Sequence, residues 1–263
     1  MSLKFCFIGA GNLATQLSIA FRDAGFEIIQ VFSQTEVSAK ALADKLNSQC
    51  TTQKSALVKD ADVYFIALKD SVLQEVLSGI DFNPKFVVHC SGSMPISVLD
   101  KYATNYGVMY PLQTFSKERK VDFSKIPVFI EANNPETERL LLQIGKQISE
   151  RVSVLTSDKR KSLHIAAVFA CNFVNHFYAL AAEYLENQDI PFDVLYPLIE
   201  ETAQKAREMP PKKAQTGPAV RFDENIINDH LNSLNAYPEL KELYNSISKR
   251  IFDFHQKNKN GFF

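Results

Sequence analysis

The sequence predicts a doubly wound, mostly parallel α/β domain over residues 1–156, followed by an all-helical domain over residues 157–263. Three observations support this prediction. Short apolar runs alternate with helical patterns as far as residue 156, which is typical of parallel βα units. A glycine-rich turn joins the first predicted strand to the first helix. From Ser157 to about residue 188 the chain contains neither glycine nor proline, and only helical patterns follow.

The glycine-rich turn, residues 9–14 (GAGNLA), directly follows an apolar run. It matches the G-x-G-x-x-A pattern of dinucleotide-binding βα turns. Gly9 would permit the tight turn, Gly11 would let the backbone approach a pyrophosphate, and Ala14 would let the helix pack close to its strand. Free N–H groups and the helix dipole favour a negative charge at this point. We predict a dinucleotide site here; the alternative is a tight turn without a ligand. The predicted site comprises Gly9, Gly11, Asn12, Leu13 and Ala14.

Composition and charge are those of a globular protein. Of the 263 residues 46% are apolar, and the formal net charge of −1 gives no indication of a nucleic-acid or membrane partner. The four cysteines lie far apart without metal-site spacing, so we expect buried free thiols and no metal site. The first strand begins so close to the N-terminus that no signal peptide is expected, which predicts a cytoplasmic protein.

Strands and helices of the first domain follow in alternation. The strands after the first are predicted at residues 27–32, 50–52, 62–68, 85–90, 107–110, 126–131 and 152–155. The first helix is expected to end near Gly25, a later one to be capped by residues 69–71, another to begin at Pro95, and another to be capped by Asn134. Ligands of such sheets bind beyond the carboxyl ends of the strands. We therefore assign to the cofactor site the residues at two further strand ends, Ala67, Leu68, Ser91 and Gly92.

The end of the second predicted strand bears on the choice of nicotinamide cofactor. An Asp or Glu about 20 residues after the glycines usually binds the ribose hydroxyls of NAD. This chain has Ser33, Gln34 and Thr35 there, so no carboxylate repels a 2′-phosphate. Lys40 could bind that phosphate or could be a solvated surface residue. We predict NADP as the cofactor, with NAD as the alternative, and assign the three residues to the cofactor site.

The second domain is predicted to consist of helices at residues 157–188, 192–208, 224–234 and 238–257. One helix cannot bury every face of a long apolar pattern by itself. A symmetric homodimer through this domain is therefore expected.

Several motifs together resemble one known family. They are residues 88–92 (VHCSG), 110–115 (YPLQTF), 164–173 (HIAAVFACNF), 196–199 (YPLI) and 216–223 (TGPAVRFD) with His230. The chain resembles a family of oxidoreductases in which a Rossmann-like domain is joined to a helical domain of unassigned function. It is similar, more distantly, to pyrroline-5-carboxylate reductases and deazaflavin-dependent NADP oxidoreductases. The resemblance spans nearly the whole chain and implies a reductase whose substrate is unassigned.

Two residues depart from the pattern of that family. Gln34 stands where an arginine is usual, which weakens the prediction of NADP. Tyr110 stands where a histidine is usual before Pro-Leu, which suggests that this position is not an indispensable acid or base.

The long helix from Ser157 carries the candidate catalytic residues. At 100° per residue, His164, Asn172 and Asn175 fall within an arc of about 80°. Asparagine is a poor helix former and is rarely buried without partners. In one interpretation this stripe faces the nicotinamide, with His164 as proton donor and the amides orienting the substrate. In the other it is a polar seam between helices or a buried hydrogen-bond network.

Other polar residues also have two interpretations. Arg221 could bind a substrate carboxylate bidentately, or it could pair with Asp223 and fix its loop. His230 is expected to pack or cap within its helix, and His89 to be a core histidine. The charged residues at 159–161 are expected to be a solvated face.

These features predict an enzyme, an NADP-dependent oxidoreductase that acts on a small carbonyl or imine substrate. Tyr110 and Arg221 are assigned to substrate binding. The first alternative is an imine reductase of the pyrroline-carboxylate type. The second is a dinucleotide-binding regulator without turnover, which the departure at Tyr110 would favour.

Overall fold

The computed structural model of the chain describes residues 3–82 and 85–257. The chain divides into two compact units between Phe173 and Val174. This division lies inside the long helical segment that begins at Ser157, whereas the sequence suggests a boundary at the start of that segment.

Eight strands in the described residues form one sheet. In chain order they are β1 Lys4–Ile8, β2 Glu27–Phe32, β3 Gln49–Thr51, β4 Val63–Ile66, β5 Phe86–His89, β6 Asn105–Pro111, β7 Val128–Ala132 and β8 Val152–Val154. All of them coincide with predicted strands, although the bounds differ at several ends.

Across the sheet the strand order is β3-β2-β1-β4-β5-β6-β7-β8. Neighbouring strands are parallel except β6 and β7, which are antiparallel. The prediction of a doubly wound, mostly parallel sheet is therefore confirmed. The order reverses at β1, since β2 lies on one side of it and β4 on the other. Such a reversal opens a crevice at the carboxyl ends of the strands, where ligands of these sheets bind.

Within the described part of the first unit there are five α-helices: α1 Asn12–Asp23, α2 Glu36–Leu46, α3 Asp70–Leu77, α4 Pro135–Ile148 and α5 Ser157–Ala167. A π-helical segment, Val168–Phe173, continues α5. The second unit contains α6 Val174–Glu186, α7 Tyr196–Glu208, α8 Pro211–Ala214, α9 Pro218–Arg221, α10 Glu224–Ser233 and α11 Pro238–Lys257. Regular structure in its described residues is helical throughout, as predicted.

Helix ends follow the sequence signals in part. Gly25 follows α1 with φ of +91°, and Asn134 caps α4 by accepting a hydrogen bond from Thr137 N–H at 2.9 Å. The prediction of a side-chain cap at residues 69–71 is wrong: Lys69 is the N-cap of α3 without a capping bond. The Asp70 carboxylate instead accepts from the hydroxyl of Ser93, in the loop after β5. The helix predicted to begin at Pro95 is a single 3₁₀ turn.

Side chains of β1 alternate between two apolar cores, one on each face of the sheet. Phe5 and Phe7 belong to the core that α1 and α4 cover, and Cys6 and Ile8 to the core that α3 covers. All four are fully buried, as expected for a parallel strand with helices on both faces. This packing fixes the position of the glycine turn that follows β1.

All four cysteines are free. Cys6 and Cys90 are buried as predicted, and burial raises the pKa of each thiol to about 12. Cys50 is exposed and Cys171 is half-buried, so the prediction of burial is wrong for Cys50 and is not met in full by Cys171. Cys171 lies in the long helical segment. Cys50 lies in β3, which among the described strands has a neighbour on one side alone and so forms an edge of the sheet. Among the described residues, no group of three or more His, Cys, Asp or Glu side chains could hold a metal ion.

Candidate dinucleotide and catalytic site

The turn after β1 has the geometry that the glycine pattern predicts. Gly9 has a φ of +125°, and a Cβ on it would lie 2.2 Å from the carbonyl oxygen of Ala67. Gly9 N–H donates to the carbonyl of Phe32 at 2.8 Å, and Ala67 N–H donates to that of Ile8 at 2.9 Å. The ends of β2 and β4 thus close on the turn from both sides, which leaves room for glycine alone at position 9.

The start of α1 is open. Its N-cap, Gly11, is exposed, and a Cβ there would meet no atom within 4 Å. The N–H groups of Asn12, Leu13 and Ala14 precede the first intrahelical bond, in which Thr15 N–H donates to the carbonyl of Gly11 at 2.9 Å. The first turn of this described helix holds no acidic side chain that would repel an anion. Free N–H groups, the helix dipole and open space together fit a pyrophosphate.

Ser33, Gln34 and Thr35 continue the chain after β2. Ser33 N–H donates to the carbonyl of Thr51 at 3.2 Å, which anchors the backbone to β3. Gln34 and Thr35 are exposed. Thr35 is the N-cap of α2, but its hydroxyl makes no capping bond. The structure therefore places all three at the carboxyl edge of the sheet, next to the turn after β1.

Residues after β4 and β5 lie at the same edge. Ala67 and Leu68 follow β4 and are half-buried. After β5, the Ser91 hydroxyl accepts hydrogen bonds from the N–H groups of Ser93 and Met94 at 3.1 and 3.0 Å. Ser91 thus shapes its own loop. The four loops that the sequence assigns to the cofactor meet here because the carboxyl ends of parallel strands coincide.

Tyr110 and His164 form a hydrogen-bonded pair against the loop after β5. Tyr110 Oη and His164 Nδ1 are 3.0 Å apart, although the residues are 54 positions apart in the chain. Gly92 packs against both: a Cβ on it would lie 2.6 Å from Nδ1 of His164 and 2.9 Å from Cε2 of Tyr110. The sequence assigns Gly92 to cofactor binding, and the structure adds a steric role. Any side chain at position 92 would push the pair apart.

The environment of Tyr110 keeps its hydroxyl protonated. Burial raises the pKa of Tyr110 above its usual value of 10, and the Arg160 guanidinium opposes part of this rise. Both Tyr110 and His164 retain some exposure, with Tyr110 8% exposed and His164 half-buried. The pair therefore presents a neutral phenol and an imidazole, which can donate or relay a proton.

The structure buries Arg160, which the sequence predicts to be solvated. Its side chain is 1% exposed, so the prediction of a solvated face at residues 159–161 is wrong for this residue. Arg160 forms an ion pair with Glu131 of β7 and donates to the carbonyl of Met94 at 2.6 Å. These partners replace the water that burial removes. The sequence carries no signal for this pairing, because Glu131 lies 29 positions away.

The long helical segment does not keep one periodicity. Val168–Phe173 is π-helical, so its backbone bonds span five residues and each residue turns the helix by less than the 100° assumed. The constant turn of 100° per residue, from which the arc of His164, Asn172 and Asn175 is predicted, therefore does not hold through Val168–Phe173. Asn172 and Asn175 are exposed in the single chain, and the structure brings His164 together with Tyr110 instead.

The second unit contains the remaining sequence candidates. Arg221 ends α9 and is exposed. Asp223 accepts from Ile226 N–H at the start of α10, at 3.5 Å. The described residues show no ion pair between Arg221 and Asp223, so the interpretation in which these two side chains pair is wrong; the Asp223 carboxylate caps α10 instead.

His230 lines an apolar cavity of about 670 Å³ within the second unit. Its Nδ1 and the hydroxyl oxygen of Tyr244 are 2.8 Å apart. Thr216 and Gly217 line the same cavity. The loop at residues 216–218 and His230, which the sequence associates with one family, thus meet at one place.

Two family descriptions match the chain. Residues 4–92 match the family described as NADP oxidoreductase, coenzyme F420-dependent. Residues 126–251 match the domain of unknown function DUF2520. No curated protein matches the chain significantly.

Several solved structures are similar over the whole chain. A candidate NADP oxidoreductase from Bacteroides fragilis is 47% identical with a TM-score of 0.91, covering 96% of this chain and 98% of that one. Pyrroline-5-carboxylate reductase from Streptococcus pyogenes is 12% identical with a TM-score of 0.63, covering 96% and 99%. An imine reductase from Myxococcus stipitatus, solved with NADP⁺, is 16% identical with a TM-score of 0.63, covering 98% and 94%. At such low identity the last two share the fold alone.

The likeness to the Bacteroides fragilis protein extends over nearly the full length of both chains, at an identity that establishes a common family. Along the chain, the NADP oxidoreductase match at residues 4–92 precedes the DUF2520 match at residues 126–251, which begins within the predicted first domain. This chain belongs to the family of NADP oxidoreductase-like proteins in which a Rossmann-type region is followed by a DUF2520 region.

Proposed function

We propose that this protein is an NADP-dependent oxidoreductase that reduces a small carbonyl or imine substrate. The hydrogen-bonded pair of Tyr110 and His164, packed on the loop after β5, is the observation that carries the proposal. The family supports the broader class, an NAD(P)-dependent oxidoreductase. The substrate and the preference between NADP and NAD are the parts that we propose.

The residues of the first unit fit a dinucleotide. The N–H groups at the start of α1 would hold the pyrophosphate, and the exposed residues after β2 would meet the adenosine ribose. Ala67, Leu68, Ser91 and Gly92 would line its path along the sheet edge. When bound, NADPH supplies a hydride.

Reduction of a carbonyl or imine adds a hydride to carbon and requires a proton on oxygen or nitrogen. The Tyr110 hydroxyl and the His164 imidazole provide that proton, since they are joined at 3.0 Å. Their partial exposure leaves a route for the proton to return from solvent. Tyr110 thus replaces the histidine usual in the family with another proton donor, which favours an enzyme over a regulator without turnover.

An imine substrate of the pyrroline-carboxylate type is the second candidate. It is supported by the shared fold with pyrroline-5-carboxylate reductase and imine reductase. A carboxylate on such a substrate would need a cationic partner, and Arg221 is exposed and able to provide one. Asn172 and Asn175 would orient the substrate through their amides.

The choice of cofactor is tested by titrating the protein with NADPH and NADH in calorimetry. We expect tighter binding of NADPH, because no carboxylate occupies residues 33–35 to repel the 2′-phosphate. Gln34→Arg should tighten NADPH binding about tenfold through a charge-assisted bond and leave NADH unchanged. Equal affinities in the unmodified protein, or tighter NADH, would overturn the preference.

The role of the pair is tested by NADPH-dependent reduction of a panel of small carbonyl and imine acids. His164→Ala should lower turnover by about 10²–10⁴-fold with NADPH affinity nearly unchanged, because general acid catalysis contributes that much. Tyr110→Phe should also lower turnover, whereas Asn175→Ala should act mainly on KM. His176→Ala, a change at an exposed histidine of the second unit, is the control.

Two results would contradict this role. Variants that lose thermal stability but keep their specific activity would give His164 a structural role. NADPH binding without turnover across the whole panel would favour the regulator.

We further propose a cytoplasmic homodimer formed through the helical segment. Ile165, Phe169, Phe173 and Phe177 recur every four residues along it, and each is more than 40% exposed in the single chain. A second copy of the chain is the occupant that would cover this apolar surface.

A further inference from the structure

We propose that Arg160 is a positioning residue that holds His164 against Tyr110. This proposal deepens the proposed function, because it takes from it the role of Tyr110 and His164 as proton donors. The hydrogen bond between Tyr110 and His164 can be followed independently of turnover.

The start of α5 is fixed from another strand. Thr156, its N-cap, makes no side-chain capping bond. The Glu131 carboxylate takes that place: it accepts from Ser157 N–H at 2.9 Å and from the Ser157 hydroxyl at 2.7 Å. Since the first N–H groups of a helix lack intrahelical partners, this carboxylate both caps α5 and ties it to β7.

Arg160 closes this arrangement one turn later. Its guanidinium pairs with the same carboxylate and donates to the Ser157 hydroxyl at 3.1 Å. The other contact is the Met94 carbonyl at 2.6 Å. One buried side chain thus joins α5, β7 and the loop after β5. Fixing a long side chain costs rotamer entropy, which the charge-assisted bonds of Arg160 offset.

The joined elements are those that surround the pair. His164 lies four residues after Arg160, on the same face of α5. Met94 is two residues beyond Gly92, which packs against both members of the pair. Tyr110 lies on β6, which pairs with β7, where Glu131 lies. Without the guanidinium, α5 keeps its Glu131 cap and the bond from Ile96 N–H to the Ser157 hydroxyl at 3.0 Å, but the direct link from α5 to Met94 is lost. The part of α5 that carries His164 is then held less firmly to the loop after β5, and the distance between His164 and Tyr110 is free to lengthen.

Arg160 also acts by charge. Its guanidinium favours the Tyr110 phenolate that remains after a proton is donated, against the burial that disfavours it. A lysine would keep the charge but lacks the planar fork that reaches Glu131 and Met94 together. Geometry and charge can therefore be separated by substitution.

The test uses the full chain and two readouts. Arg160→Met combined with Glu131→Gln removes the cation without leaving a buried carboxylate unpaired. Arg160→Lys is the milder second variant, in case the double variant does not fold. The first readout is the set of histidine ring signals in NMR, where His164 among the five histidines is identified by its loss in His164→Gln. The second is NADPH-dependent turnover on the same substrate panel.

We expect the His164 signal of the Arg160 variants to move towards its position in Tyr110→Phe, in which the hydrogen bond cannot form. Turnover should fall about tenfold to 100-fold, since small misplacements cost that much, with NADPH affinity unchanged. Adding Arg160→Lys to Tyr110→Phe should cost little more, because both act on one interaction. Lys161→Met, at the exposed neighbour of Arg160, is the matched control.

Folded Arg160 variants whose His164 signal and turnover match those of Lys161→Met would overturn the proposal. If His164→Ala lowers turnover in the same assays, the proposed function survives that failure. If instead the His164 signal moves as expected while His164→Ala leaves turnover unchanged, positioning is supported and the proposed role of the pair fails.

Discussion

His89 lies at the end of β5 with its side chain fully buried. Its Nδ1 accepts a hydrogen bond from Ser91 N–H at 3.2 Å, which requires that nitrogen to be unprotonated. Burial, followed by the nearby Arg160 guanidinium, lowers the pKa of His89 from 6.5 to about 4. The cation that anchors α5 thus also keeps this core histidine neutral.

Stability should therefore depend on pH through His89. Because the pKa is lowered in the folded state, the unfolded chain binds the proton first. The stabilisation is complete above pH 6.5 and is lost as the pH falls towards 4. The difference between the pKa values of 6.5 and about 4 corresponds to about 3 kcal/mol in the free energy of unfolding. Urea unfolding between pH 7 and pH 4 should show a steeper loss for the unmodified protein than for His89→Gln.

His176→Gln, at an exposed histidine, serves as the reference in this series and should follow the unmodified protein. If the free energies of unfolding of His89→Gln and the unmodified protein fall equally between pH 7 and pH 4, protonation of His89 does not contribute to the loss of stability.

At the scale of elements, the segment Ser157–Glu186 contains an apolar stretch that needs a partner or a solvent other than water. By length and composition alone it could cross a membrane. Its most apolar 18-residue window has a mean hydropathy of 1.5, and the single chain leaves that window unburied. Its start is charged and anchored by Arg160, whereas its middle is π-helical. A π segment widens each turn and so changes which side chains share a face. The surface that the proposed homodimer would cover is formed by this element.

We expect light scattering at micromolar concentration to report a dimer. Phe169→Glu combined with Phe173→Glu should produce monomers, because it places charges at side chains that are 64% and 45% exposed in the single chain. Val37→Glu, at a side chain of α2 that is 83% exposed, should leave the dimer intact.

A monomeric unmodified protein would end the dimer proposal. So would cosedimentation of the protein with phosphatidylcholine vesicles that the double variant abolishes, since that would assign the same surface to a membrane.

On the scale of the whole molecule, the chain combines one sheet-based unit with one helical unit. The described sheet brings the loops after β1, β2, β4 and β5 to a single edge. All four loops lie within residues 4–92, the part of the chain that matches the NADP oxidoreductase family. The DUF2520 match begins at residue 126, so it includes β7, β8 and α5 of the first unit. Glu131, Arg160 and His164 all fall within it. The candidate site therefore draws on both matched regions, even though the compact units divide further along the chain.

Local patterns were enough to predict most of the fold. The strands of the sheet, the turn at Gly9, the cap at Asn134 and the helical character of the second unit each depend on residues close together in the sequence. Backbone sterics, capping and hydrophobic periodicity act at that range, and a single sequence displays them directly.

Tertiary structure alone decided how the site is assembled. Tyr110 and His164 meet across 54 positions, and Arg160 reaches Glu131 across 29, so neither contact leaves a periodic trace in the sequence. Arg160 lies among charged neighbours, so the sequence predicts a solvated side chain. In the structure the side chain is buried, and the Glu131 carboxylate on β7 pairs with it there. The burial of a charge depends on partners that distant segments bring together, and those partners are fixed only when the sheet, its loops and α5 pack against one another.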